Sequence, residues 1–221
     1  MRPVVIIGAG GHGREVADIL RDQCSAGTPV TPMGFIDDKR ELHGKEIDGL
    51  PVLGDFSWFE TGSRAKVEVI CAVGLPQICR RLVQQARKMS LNFVSAISPL
   101  AQISSRARLG EGVTIFPNVV VNTGAFVDSY SILNVGVVVS HDATVGTYCN
   151  INPGARLAGN TTINEGSYIG MGTSVIQGRT VGSWSIVGAG AVVISDLPEN
   201  VTAVGVPAKT IKTREEKWHE R

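Results

Sequence analysis

At residues 139–144 the chain reads V-S-H-D-A-T, the one place in a long repetitive stretch where a histidine and a carboxylate stand side by side. A histidine that accepts a proton, next to a backbone N–H that holds a developing oxyanion, is the minimum equipment for acyl transfer. A carboxylate that orients the ring completes the set. The same pair on a solvated turn does nothing, and a lone outward histidine is usually inert. A second stretch with chemical potential is Gly8-Ala9-Gly10-Gly11-His12-Gly13. Gly8, Gly10 and Gly13 match G-x-G-x-x-G between a strand and a helix, and Asp37 ends the next strand at the spacing used to grip a ribose. Taken alone, that stretch reads as the NAD site of an oxidoreductase.

The elements that position these residues follow two different rules. From Ile97 the chain counts in sixes without a slip, from I-S-P-L-A-Q to V-G-A-G-A-V at 187–192. The first position is Ile, Leu or Val in all sixteen hexads, and the fifth is small in every one except that of Arg179. The second is mostly Gly, Asn, Asp or Ser, residues that tolerate corners. This period fits neither an α-helix nor a long strand. It fits short strands separated by corners, three to a coil of eighteen residues, with coils stacked about 4.8 Å apart. The large residue fills the prism centre and the small one packs where the walls converge. His141 is the third residue of its hexad and points outward near a corner, with Thr123 and Gly159 one coil to either side. Gly159 leaves room beside the ring and exposes an N–H. Asp142 meets the ring only if the chain bends between the two.

The first 95 or so residues alternate strand and helix signals, which predicts a small parallel sheet. Strands are expected at Val4–Ile7, Met33–Ile36 and Val67–Ala72. Helices are expected at Arg14–Arg21 and from about Gln77 to Lys88, with loop and short strand between the second and third strands. Fewer than 100 residues are too few for two full βαβαβ halves, so the glycine loop suits a mononucleotide end better than a dinucleotide. The N–H groups of Gly10 and Gly11 at a helix start can meet an anion. Beyond Val193, Pro198 and Pro207 break the pattern, and R-E-E-K-W-H-E-R is a short helix or a frayed end.

Composition narrows the function classes. With 21 Lys and Arg against 20 Asp and Glu, the charges are nearly balanced and give no support to nucleic-acid binding. Aromatics are scarce and glycines plentiful, as a thin structure with many turns requires. Cys24, Cys71, Cys79 and Cys149 have no metal-site spacing, and none of the four histidines sits in a ligand cluster, so no metal is expected. No signal peptide precedes the first strand, and no apolar run is long enough to insert in a membrane, which points to a reduced cytoplasmic protein. Cys149 occupies an inward fifth position, which argues against a covalent acyl-cysteine route. Cys71 and Cys79 read as packing residues.

The unbroken hexads, ending in V-V-G-A-G-A-V-V-I-S-D-L-P and V-G-V-P-A-K, resemble the left-handed β-helix acyltransferases. The opening V-V-I-I-G-A-G-G-H-G-R-E-V-A, with G-F-I-D-D-K and V-V-S-H-D-A-T-V-G, is similar to one branch of them. That branch N-acetylates nucleotide-linked amino sugars and includes the sialic acid O-acetyltransferases. The resemblance implies a small Rossmann-like domain at 1–95, a left-handed parallel β-helix at 96–193, against the usual right-handed crossover, and a C-terminal tail at 194–221. It implies a homotrimer with active sites in clefts between neighbouring prisms. Acetyl-CoA would lie along the prism wall and the acceptor's nucleotide in the N-terminal domain. His141 would be the general base, Asp142 its support, and the Gly159 N–H would face the thioester carbonyl. Gly10, Gly11, Asp37 and Asp38 would lie near nucleotide and sugar. His12 either reaches the acceptor or is structural. Members often carry a second histidine near the thioester, nine residues after the base. Here that position is Asn150, which does not titrate near neutrality and is left with contact or orientation. Arg179 must leave the prism wall or distort it, and would meet a phosphate of CoA or pair at a subunit interface. The expected activity is direct acetyl transfer to a 4-amino-4,6-dideoxy sugar on a nucleotide, in polysaccharide or glycan synthesis. Acetylation of sialic acid or another hydroxyl is the alternative.

Overall fold

Arg2–Ile7 is a β-branched run with four buried residues, and as β1 it forms the middle of a parallel sheet. The computed structural model describes residues 1–61 and 67–220. They divide into two units, Met1–Gly74 with Ile78–Pro99, and Leu75–Gln77 with Leu100–Arg221.

In the first unit, β1 leads through α1 (Gly11–Ser25) to β2 (Val30–Ile36). A hairpin of β3 (Glu46–Ile47) and β4 (Leu50–Gly54) follows, then β5 (Glu68–Cys71), α2 (Pro76–Lys88) and β6 (Asn92–Phe93). The sheet order is β3-β4-β2-β1-β5-β6. The elements are longer than the sequence pattern indicates at β1, α1 and β2. Pro32 is tolerated inside β2 because Val4 pairs with Pro32 and Val5 with Gly34, which leaves Met33 as the extra residue of a bulge. The hairpin turns on Asp48 and Gly49, both at positive φ, the pairing that a tight two-residue turn demands. Proline opens α2, where its missing N–H costs nothing.

The second unit is the prism. Each strand is two residues long and pairs in parallel with the strand eighteen residues on: Thr114 with Ile132, Ile132 with Asn150, Asn150 with Tyr168. Three walls result. The first carries Val120–Val121, Val138–Val139, Arg156–Leu157 and Ser174–Val175, and the second includes Phe126–Val127 and Thr144–Val145. The third includes Ile132–Leu133, Asn150–Ile151 and Tyr168–Ile169. Every first-position residue from Ile115 to Val193 is at most 2% exposed, so the prism centre is dry and filled. Ile103 and Leu109, in the first coil of the stack, are less buried.

The corners differ from the expected pattern. The left-handed backbone falls at the fourth position, at each hexad from Gly112 to Gly190, and not at the second. Second-position glycines answer to packing instead. A Cβ on Gly146 would stand 2.8 Å from the N of Glu165, and one on Gly170 would stand 2.5 Å from the N of Ala189. Arg179 leaves the wall without distorting it: Thr162 still pairs with Thr180, and the guanidinium turns out to Asp196 at 3.8 Å.

The stretch 194–221, read from sequence as a tail, extends the prism. Val201–Val204 joins the third wall beside Ile186–Val187, and Lys209–Thr213 pairs antiparallel with it. The end of the chain is a single turn, Trp218–Glu220, with His219 stacked on Trp184 at 3.8 Å between centroids.

Candidate active site

Val139 is held in the prism centre, so the chain must leave the first wall at Ser140 and turn. Asp142, at φ +58, makes that turn, a conformation Asp adopts more readily than most residues. The bend brings two adjacent side chains together: His141 Nδ1 and Asp142 Oδ2 are 3.0 Å apart. With the carboxylate at Nδ1, the ring carries its proton there and leaves Nε2 free to accept one. The coil ladder fixes both backbones. Asp142 N–H donates to Thr123 O at 3.1 Å, and the His141 carbonyl accepts from Asn160 N–H at 3.0 Å. The pair is more than half exposed, at 53% and 58%.

Gly159 lies directly under the ring. A Cβ there would stand 2.5 Å from both Cε1 and Nε2 of His141. Ala158 N–H donates to Val175 O and Asn160 N–H to His141 O, while the Gly159 N–H between them has no acceptor among the described residues. A groove of about 360 Å³ runs along the same wall, lined by Ser140, Arg156, Ala158, Ile176 and Gln177. His141, Asp142 and Gly159 are therefore brought together, with Arg179 two coils along the same edge. Asn150 is buried on the third wall, away from the corner that carries His141.

In the first unit, Gly8 at φ +110 ends β1, and a Cβ on Gly13 would collide with the Gly8 carbonyl oxygen, so these two glycines allow the loop to close onto α1. A Cβ on Gly10 or Gly11 would enter open space, which leaves that backbone approachable. Asp37 takes backbone hydrogen bonds on both oxygens, from Ala9 N–H at 2.9 Å and Lys39 N–H at 3.0 Å. It ties the glycine loop to the end of β2. A cavity of about 320 Å³ opens at the carboxyl ends of β1, β2 and β5, where the strand order reverses and ligands of such sheets bind. Gly8, Asp37, Asp38 and Lys39 line it. So do Phe56, Val73, Ile78 and Arg81, which no motif marks because they come from three separate stretches.

His12 lies largely buried in the first turn of α1, 3.6 Å from Glu15. Burial pushes its pKa down, and Glu15 opposes the shift. The Cys149 thiol is pushed up to about 12, mainly by burial, and Cys71 and Cys79 are buried. Among the described residues no group of His, Cys, Asp and Glu is placed to hold a metal ion, and no helix is long and apolar enough to cross a membrane.

Residues 3–86 match the PglD N-terminal domain family. No curated protein sequence matches the chain. Among solved structures, the chain is similar to the acetyltransferase domain of PglB from Neisseria gonorrhoeae FA1090. Identity is 34% over 96% of this chain and 100% of that one, with a TM-score of 0.87, and that domain is also known in complex with acetyl coenzyme A. PerB from Caulobacter crescentus, in complex with CoA and GDP-perosamine, shares 36% identity over 95% and 97% of the two chains, with a TM-score of 0.86. WeeI from Acinetobacter baumannii AYE shares 28% over 94% and 99%, with a TM-score of 0.84.

Proposed function

The chain belongs to the left-handed β-helix sugar N-acetyltransferases, and we propose that it moves the acetyl group of acetyl-CoA to the amine of a nucleotide-linked 4-amino-4,6-dideoxy sugar. The observation that carries this reading is the His141–Asp142 pair lying over Gly159. The amine, bound in its neutral form, attacks the thioester carbonyl and forms the C–N bond. His141 Nε2 takes the proton that the nitrogen loses, and Asp142 holds the ring and balances the imidazolium. The N–H of Gly159 steadies the oxyanion. The C–S bond then breaks and the thiolate recovers the proton from the imidazolium.

The groove from Ser140 to Gln177 suits the pantetheine arm, with Arg179 placed for a phosphate of CoA. The cavity beside Asp37 and Asp38 suits the acceptor's nucleotide, with the open backbone at Gly10 and Gly11 toward its phosphates. His12, largely buried in the first turn of α1, either reaches the acceptor or serves the loop structurally. Neither a metal nor an acyl-cysteine is needed. The assembly is a homotrimer, supported by exposed Val135 and Met171 on one edge and Ile176 and Ile194 on another, which a threefold ring would bring face to face.

The test is thiol release from acetyl-CoA with UDP-, GDP- and dTDP-linked 4-amino-4,6-dideoxy sugars, with free sialic acid in parallel. Turnover with one amino sugar supports the proposal and identifies the nucleotide. Turnover with sialic acid alone moves the chemistry to a hydroxyl, and tight NADH binding without thiol release overturns the proposal.

A further inference from the structure

Five fourth-position glycines, Gly136, Gly154, Gly172, Gly178 and Gly190, would direct a Cβ into open space. Their left-handed backbone alone accounts for them. Gly124 differs. It lies one coil before Asp142, and a Cβ on it would overlap Oδ1 of that carboxylate and come within 3.2 Å of its Cγ. The other carboxylate oxygen, Oδ2, is the one that holds His141 Nδ1. Gly159 does the same one coil on the other side, where the missing Cβ makes room for the imidazole. The dyad therefore sits between two absences, Gly124 on the carboxylate side and Gly159 under the ring.

We infer that Gly124 is a positioning residue for the transfer reaction: its missing Cβ is the seat in which the Asp142 carboxylate rests while it aims His141. This rests on the role proposed for the dyad. A methyl group at 124 evicts Oδ1, turns the carboxylate about Cβ–Cγ or lifts it off the corner, and takes Oδ2 away from Nδ1. The ring then loses its fixed tautomer and its aim, while the groove and the nucleotide cavity stay as they are. A misplacement of about 1 Å in such a group costs roughly 10²-fold in rate.

The experiment is a double-mutant cycle of Gly124→Ala and Asp142→Ala. It is read by kcat, by the KM for acetyl-CoA, and by ¹⁵N NMR of the His141 ring, which reports the Nδ1–H tautomer without needing turnover. Gly124→Ala alone is expected to lower kcat by about 10²-fold with KM within about twofold, and to abolish the predominance of the Nδ1–H form. In the Asp142→Ala background the same substitution is expected to change neither quantity beyond about twofold, because the group it displaces is gone. Equal losses in both backgrounds, or a wild-type tautomer in Gly124→Ala, overturn the inference and leave only backbone strain at φ +72. If Gly124→Ala fails to fold, a folded double variant supports the clash with Asp142, and an unfolded one overturns it. Should wild type transfer no acetyl group at all, the function proposal fails, and the tautomer comparison still decides this one.

Discussion

A histidine and an aspartate adjacent in sequence normally point apart, and here a single left-handed residue turns them toward each other. The proposed triad of base, carboxylate and backbone N–H needs no nucleophilic side chain, and the one cysteine nearby in sequence is unsuited to be one. With its thiol pushed up to about 12, Cys149 is expected to resist iodoacetamide at pH 8 in the folded protein and to react only after denaturation, as mass spectrometry of the intact chain would show. Asp142→Asn keeps the shape of the side chain but favours the wrong ring tautomer. A kcat loss of about 10²-fold or more is expected, with acetyl-CoA affinity by calorimetry unchanged. An equal loss of affinity would mean that Asp142 serves binding instead. The Gly159→Ala variant places a methyl group where the ring now lies and is expected to behave as the base variant does.

At the scale of elements, the stack of coils supplies rigidity and the sheet supplies the cavity. Leu157 is fully buried one coil beyond Val139, and Leu157→Ala is expected to cost about 2–5 kcal/mol in urea unfolding of the prism. His12 makes the first unit sensitive to acid. Its folded pKa lies below its ordinary value of 6.5, so the unfolded chain binds the proton more tightly. The stability it contributes is present above about pH 6.5 and is lost as pH falls through the lowered value; His12→Phe is expected to flatten that part of the stability–pH curve. Much of this architecture could be read in advance. The hexad register carries the walls because each large residue repeats at the spacing the coil requires, and Arg179 announced its own exclusion from the interior. The role of Asp37 could not be read, since its bonds to Ala9 and Lys39 are settled by the fold, and its spacing matches a ribose grip equally well. Gly124 was hidden for a similar reason: in N-T-G-A it looks like any corner glycine, and only its offset of one coil from Asp142 marks it. Val201–Val204 escaped because it meets Ile186–Val187 after sixteen residues, out of step with every earlier strand.

For the whole molecule, the proposed ring of three copies rests on the two apolar edges of the prism. Light scattering is expected to give three chains per particle, and Met171→Glu is expected to lower that number and the turnover together. A variant that remains trimeric would place the interface elsewhere. The division of labour between the units is also measurable: Asp37→Ala, which frees the glycine loop, is expected to raise the KM for the nucleotide sugar while leaving that for acetyl-CoA unchanged. The most direct measurement is the rate of thiol release from acetyl-CoA by His141→Ala beside wild type, with the amino-sugar acceptor that wild type prefers. A fall in kcat of about 10²- to 10⁴-fold, with CoA binding intact, is the predicted result. Undiminished turnover in that variant would contradict the account, because the proposed transfer delivers the proton to His141 Nε2.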